Sequence, residues 1–579
     1  MRALWLVIIA LSLNVGCTKK KEEPRNSVSH SFNANVKGLD PVQASDVYTH
    51  EVVAQISEGL FQYHYLKRPF ELEPLLADGM PQVSKDGLTY TFKIKKGVRF
   101  ADDAAFPDGK GREVTAEDFI YSWKRVADPA SQGEGFWIFD GKIKGLNEWR
   151  TTKPKVDYAA AVEGLQAPDK HTLVVKLTKP YYQFMYVLAM SYTMVVPREA
   201  VEKYGAEYLN HPVGTGPFML KEWVRNNKIV LVRNPNFRGE TYPTEGAPGD
   251  KEAGLLADAG KPIPFVDEVV FNELPEDQPR WLTFLKGNAD FNSPPKDNFD
   301  QMIEGGKLKK EWVDKGLKVL TGPELDVVYD VLNTEDPVLG KSKYLRQAMS
   351  HAINRKLMIE KLYNGRALIA EGPIPPNIEG YDPNFKSPYS EYNVEKAKEL
   401  LKKANLGDKQ IEINYETTNS ATARQFAEFV QQEMAAIGIK LNIKINTWPE
   451  MMEKNKKKKA QMFGMAWQGD YPDAENFLQL FYGPNEAPGP NSSNFKNKEF
   501  DELYKKAASL PPGAERTRLY QRMRDIVVEE VPWIFKAHRL MYMVHHGWLH
   551  NLKYDKLVAT RMKYLRVDAE KRAEMKGKL

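Results

Sequence analysis

The sequence predicts an α/β protein of at least two lobes, and three observations carry that prediction. The chain has 579 residues, more than one hydrophobic core normally supports. Strand-length apolar alternation recurs along it, as with Tyr90, Phe92 and Ile94 in LTYTFKIKKGVRF. Between residues 411 and 445 a strand, a helix and a strand follow one another with short links. That order predicts a βαβ unit with parallel strands.

In the first third, the alternation after Leu88 breaks at Gly97, which reads as a half-buried strand and turn. TAEDFIYSWKRV opens with Thr115 and Asp118 at capping-box spacing and sets Phe119, Trp123 and Val126 on one helical face. TLVVKL around Leu173 is a further strand. A Gly/Ala/Pro-rich stretch from Glu245 to Pro264 has no clear period and reads as a surface loop.

The later half is more regular. YLRQAMSHAINRKLMIEKLYNG places Leu345, Ala348, Met349, Ala352 and Ile353 on one helical face and ends at Gly365. Asn393 caps a helix carrying Val394, Ala397, Leu401 and Ala404. IEINY, the helix closing at Gly438 and the alternating IKLNIKI form the βαβ unit. After a Lys-rich surface stretch from Lys454, QMFGMAW is another strand, and its carboxyl end delivers WQGDYPDAENFL. In open α/β sheets ligands bind beyond the carboxyl ends of strands, so a pocket is expected there. Asp470 stands in it between Trp467 and Tyr471, with Pro472 behind. A carboxylate among aromatics and proline needs a positive partner or stays poorly solvated.

The 82 basic and 77 acidic residues are interspersed, which excludes the concentrated basic face that nucleic-acid binding needs. At the N-terminus, MRALWLVIIALSLNVGC has a basic start and an apolar run too short to span a bilayer as a mature helix, followed by small residues. It reads as an export signal over residues 1–17, and residues 18–30 read as a solvated tether. Cys17 is the only cysteine and so has no disulfide partner. Its place at the end of the signal resembles a bacterial lipobox, where the cysteine is lipidated, although Asn14 stands where leucine is usual.

Enzyme patterns do not assemble. HEVVA at His50 has Ala54 where a zinc-protease helix needs its second histidine, and GKS at Gly340 has Glu335 where a phosphate loop needs glycine. No G-x-S-x-G elbow occurs. Adjacent His545 and His546 in a strand point to opposite faces, a poor start for metal ligation. We therefore expect a non-enzymatic protein without cofactor or metal.

Several stretches then converge in order: LDP at Leu39, EGLF at Glu58, TYTFKIKKGVRF, VTAEDFIYSWKRVADP, GTGPF at Gly214, VRNPNF at Val232, QAMSHAINR and WQGDYPDAENFL. Together with the lipoprotein-like start they resemble the peptide-binding branch of bacterial extracellular solute-binding proteins, family 5, the oligopeptide receptors of ABC importers. The resemblance implies an α/β, two-lobed, periplasmic-binding-protein-like (type II) fold with an additional small α+β subdomain. It implies a discontinuous lobe I from residues 31–57, 208–324 and 537–579, a small subdomain over 58–207, and lobe II over 325–536.

The resemblance also implies a function. Asp470 would bind the α-ammonium of a peptide, a recognition that needs no reading of side chains. Trp467, Tyr471, Tyr121 and Trp448 match pocket-lining aromatics. A turn-capping role for Asp470 and core packing for the aromatics remain the alternatives. Gly464 replaces an arginine that in some relatives helps hold the peptide's carboxylate. The expected partners are an oligopeptide, an ABC permease, and a membrane reached through the N-terminal lipid, with the chain acting as a periplasmic or cell-envelope monomer. Another small solute within the same fold, or an exported hydrolase, stands as the alternative.

Overall fold

The computed structural model describes residues 26–576 apart from 33, 45, 134, 153, 408 and 420. Cys17, the expected signal segment and residues 18–25 of the expected tether lie outside the described residues. The tether ends earlier than its composition predicts. Ser27–Phe32 is a strand, pairing in parallel with Glu268–Glu273 from Ser27↔Glu268 to Phe32↔Glu273. SVSHSF has no apolar run, but it alternates Val28, His30 and Phe32 with serines, and all three of those side chains are buried.

A mixed sheet organises the molecule, and its longest member is Trp533–His546, 14 residues. The first part of that strand pairs with Asp326–Leu332, and beyond it lie Met462–Gln468, Glu412–Thr418 and Lys440–Asn446. Its last part pairs with Leu317–Pro323 and Phe291–Asn292, and beyond these lie Ser27–Phe32, Glu268–Glu273, Lys228–Arg233 and Phe218–Val224. One strand thus serves two groups of neighbours.

Each group has its own apolar core. Val28, Phe32, Val52, Phe271, Phe291, Trp548 and Leu565 share one. Two others gather residues between Leu325 and Phe535, with Val327, Phe477, Phe481 and Trp533 in one and Leu345, Met349, Val430 and Ile534 in the other. A further core runs from Val42 to Val213, around the four-stranded sheet formed by Gln82–Val83, Thr89–Lys93, Leu165–Asp169 and Thr172–Lys176. The helix Ala116–Ala127 packs into it through Phe119, Trp123 and Val126. Its start is fixed by Asp118, whose carboxylate accepts from the Thr115 N–H at 2.8 Å and hydroxyl at 3.0 Å.

The βαβ reading holds. Glu412–Thr418 and Lys440–Asn446 are parallel from Glu412↔Lys440 to Thr418↔Asn446, with the helix Ala421–Ala435 between them. Gly438 leaves that helix at φ +82°, a conformation glycine adopts without strain. Glu412–Thr418 is also parallel to Met462–Gln468, so the carboxyl ends of three strands open on one side. The long helix expected before Gly365 is instead two, Lys343–Ala352 and Arg355–Tyr363. Asn354 explains the break: its side chain accepts from the Leu357 N–H at 3.0 Å, capping a new helix.

The Gly/Ala/Pro-rich stretch is mostly exposed turns, as expected of a surface loop, ending in the short strand Pro262–Ile263. It is turn-rich but anchored, since Asp250 and Asp258 are buried. Asp250 takes the Lys553 ammonium on both oxygens at 2.7 Å, and Asp258 accepts from Arg566 at 2.7 Å and Asn551 at 2.9 Å. Composition conceals this because two acids hold the segment, not an apolar face.

Within the sheet, the fully buried Asp330 accepts from Lys536 Nζ and from the Tyr415 hydroxyl, each at 2.6 Å. Removing one member of such a pair leaves a charge unpaired in the interior. Lys536→Met is expected to lower the unfolding free energy by about 3–5 kcal/mol, and adding Asp330→Asn should recover part of it. Chemical denaturation followed by tryptophan fluorescence measures both.

Candidate functional site

Asp470 lies two residues beyond the strand Met462–Gln468. Gly469 is required at the turn, because a Cβ there would stand 2.7 Å from Leu325 Cδ2 and 3.0 Å from Phe477 Cζ. The Gly469 N–H donates to Leu325 O at 2.8 Å and the Gln468 side-chain amide donates to the same oxygen at 2.9 Å.

Sequence reasoning missed the residue that sets the geometry, Asn476. Its buried side chain accepts from the Trp467 indole N–H at 2.9 Å and the Asp470 N–H at 3.0 Å, and it donates to Asp470 Oδ2 at 3.0 Å. The residue was in view within WQGDYPDAENFL, but a bond to a side chain six positions on follows no strand or helix period.

Asn476 is the polar partner of the half-buried Asp470 carboxylate, and among the described residues no lysine or arginine forms an ion pair with it. Burial therefore dominates and raises its pKa to about 6. The charged groups nearby are occupied. Asp470 lines a cavity of about 260 Å³ with Asp46, His50, Tyr63, Ser191 and Lys556. Asp46 caps a helix through the N–H groups of Tyr48 and Thr49, and burial holds His50 down at about 4, neutral at pH 7. Lys556 is paired with Glu324 and donates to Gln468 Oε1 at 3.2 Å.

Gln468 and Lys556 also line a second, larger cavity of about 960 Å³, within the size range of ligand sites. Its walls come from segments far apart in the chain, among them Pro323 to Leu325, Tyr186, Asn377 to Glu379, and Leu552 to Lys556. The two cavities share Gln468 and Lys556, whose side chains are in contact at 3.2 Å.

The aromatics predicted for the site are dispersed. Trp467 is half-buried and joined to Asp470 through Asn476. Tyr471 is fully buried; its hydroxyl donates to Glu475 at 2.6 Å and its ring stacks at 6.0 Å on Tyr186, which does line the larger cavity. Tyr471 thus backs the cleft wall. Trp448 starts a helix just beyond the carboxyl end of Lys440–Asn446, on the side where Asp470 emerges, and is 54% exposed. Tyr121 is not brought to Asp470. It sits on the helix Ala116–Ala127 beside Tyr158 and Arg198, in a separate hollow with Arg112 and Glu199.

Gly464 has a local reason. It is the cross-strand partner of Asp330, and a Cβ there would stand 2.9 Å from the Tyr415 hydroxyl and 3.3 Å from Asp330 Oδ1. The space an arginine would need is filled by the Tyr415–Asp330–Lys536 cluster.

Comparison with known proteins agrees with this layout. The glutathione-binding protein GsiB of Escherichia coli K12 is 27% identical over 533 residues, 91% of each chain. The periplasmic binding protein DppA of Helicobacter pylori, solved with the peptide STSA, superposes with a TM-score of 0.73 at 24% identity, covering 94% of this chain and 98% of that one. HbpA2 of Haemophilus parasuis gives 0.74 at 22% identity, covering 94% and 100%. These likenesses establish the two-lobed periplasmic-binding-protein fold. Residues 71–489 match the profile of the bacterial extracellular solute-binding proteins, family 5 (middle region), and the chain belongs to that family.

Proposed function

We propose that this solute-binding protein captures short peptides in its cleft, with Asp470 taking the α-ammonium, and delivers them to an ABC permease. The observation that carries the reading is Asp470: a carboxylate aimed by Asn476, facing a cavity, with no cation paired to it among the described residues. An ion pair with charge-assisted hydrogen bonds is what such a group lacks. Trp467 is held beside it, and Tyr471 with Tyr186 supports the wall. Trp448 and Tyr121 are assigned outer roles at most. Lobe I from 31–57, 208–324 and 537–579, lobe II from 325–536 and the subdomain over 58–207 belong to the same proposal. The separate apolar cores support it.

Glutathione is a second reading, favoured by the likeness to GsiB over nine-tenths of the chain. It too carries a free α-ammonium, so Asp470 would serve it in the same way. Calorimetric titration with a panel of alanine peptides and glutathione decides between them.

For the cognate ligand, Asp470→Asn is expected to raise Kd by about 100-fold, and N-acetylation of the ligand should cost the wild type a similar factor. A ligand that binds the variant unchanged removes Asp470 from the site.

Affinity should also depend on pH. With the free carboxylate titrating at about 6, binding an ammonium stabilises its charged form and lowers its pKa. Affinity is then highest near pH 7 and falls as pH drops through 6, about tenfold by pH 5, while loss of the ligand's ammonium proton weakens it again above about pH 8. Asp470→Asn should flatten the fall on the acid side in the same titrations.

Lipid attachment at Cys17 and the monomeric state complete the proposal and rest on the sequence. Radiolabelled palmitate should enter the wild-type protein in its host and be absent from Cys17→Ser, and light scattering of the purified chain should give a single-chain mass.

A further inference from the structure

Most polar groups around the Asp470 cavity already have partners within the protein. Asp46 caps its helix, His50 Nδ1 meets the Ser191 hydroxyl, and Lys556 is paired with Glu324 and bonded to Gln468. Asp470 commits one oxygen, Oδ2, to Asn476. Tyr63 differs. It lines the same cavity and is 5% exposed, yet among the described residues its hydroxyl has no hydrogen-bond partner.

Tyr63 ends the short strand Phe61–Tyr63, which pairs with Leu72–Pro74. Its ring is held from two sides, edge-to-face with Phe70 at 5.7 Å and stacked on Tyr186 at 6.5 Å. Tyr186 in turn stacks at 6.0 Å on Tyr471, the chain neighbour of Asp470. A column of three rings thus runs from the strand end to the turn that carries Asp470. Of its two outer hydroxyls, that of Tyr471 donates to Glu475 and that of Tyr63 is left over. Burial above all, then Tyr186 and the Asp470 carboxylate, raise the Tyr63 pKa well above the usual phenol value, so the group stays a neutral hydroxyl. A buried hydroxyl is costly to leave unbonded, and the packed ring keeps it from turning away. Its partner has to come from the cavity.

We propose that Tyr63 is a second recognition group for the ligand's ammonium: its oxygen accepts one N–H while Asp470 accepts another, so that the site reads the number of hydrogens on the nitrogen as well as its charge. This rests on the peptide reading above and holds equally for glutathione, since both carry a primary ammonium. An ammonium is a compact charge with three donors, and a single carboxylate oxygen leaves it free to turn. A phenol oxygen on a fixed column of rings supplies the second direction that a lone ion pair lacks. A nitrogen that is charged but methylated then satisfies Asp470 and leaves Tyr63 unbonded, so the site selects free amines over their methylated forms.

The test is calorimetric titration of the full folded chain with alanine peptides of two to five residues and with glutathione. The N,N-dimethyl derivative of the tightest binder, which keeps the charge but only one N–H, is then measured by displacement. Tyr63→Phe is expected to weaken the primary amine about tenfold and to leave the dimethyl form within about twofold of its wild-type affinity. Asp470→Asn should weaken both forms, which separates the two roles. Because Tyr63→Phe removes a hydroxyl without a partner and keeps the ring, the ligand-free variant should melt no lower than the wild type. Equal weakening of both forms by Tyr63→Phe overturns the assignment, as does a ligand-free variant that melts lower or does not fold, since its hydroxyl was then bonded already. If neither a peptide nor glutathione binds the wild type, the peptide reading falls and Tyr63 with it. If the primary amine binds wild type and Tyr63→Phe alike, only Tyr63 is removed.

Discussion

Four neighbouring strands are tied together around one carboxylate, that of Asp330. It lies between Met462–Gln468 on one side and Trp533–His546 on the other, and it accepts from Lys536 and from Tyr415 one strand further out. A one-residue slip of any of these strands would turn a buried charge or hydroxyl to the wrong face. The pair adds little net stability against an apolar equivalent, but it penalises every wrong alignment. Asp470 and Trp467 inherit their positions from that alignment, because they leave the sheet on the strand whose Gly464 faces Asp330.

The cleft follows a related logic of charge. Its lysines and most of its acids neutralise one another across chain segments far apart in sequence, as Lys553 does with Asp250 and Lys556 with Glu324. Such pairs order the walls and withdraw those groups from ligand chemistry. Asp470 stands out against this background because its polar partner among the described residues, Asn476, orients it without neutralising it. A ligand that touches groups on both lobes binds the closed arrangement better than the open one, and only such a difference drives closure.

Much of this was legible in the sequence. The βαβ unit, the strand ending at Trp467 and the capping box at Thr115 follow from period and spacing, which are local properties. What was not legible depends on contacts between distant segments. The strand Ser27–Phe32 looks like tether because serine dilutes its alternation, and its burial comes from partners more than two hundred residues away. Asn354 splits a helical face because a side-chain cap outcompetes a continuous apolar stripe. Tyr121 shares a helix with core residues, and the sequence could not tell which hollow its ring faces. Asn476 was unreadable as a site residue because its function is a bond to two atoms brought together by a turn.

The shared strand Trp533–His546 also orders events in time. Ribosomes deliver the chain from its N-terminus, and this strand, central to both sheet groups, arrives near the end. The unit around Trp123 and Phe139, whose core closes by residue 213, can assemble early. The strands at 291–292, 317–323 and 326–332 must wait for their neighbour, holding open edges as synthesis proceeds. A strand made late is thus the one on which both sheet groups depend.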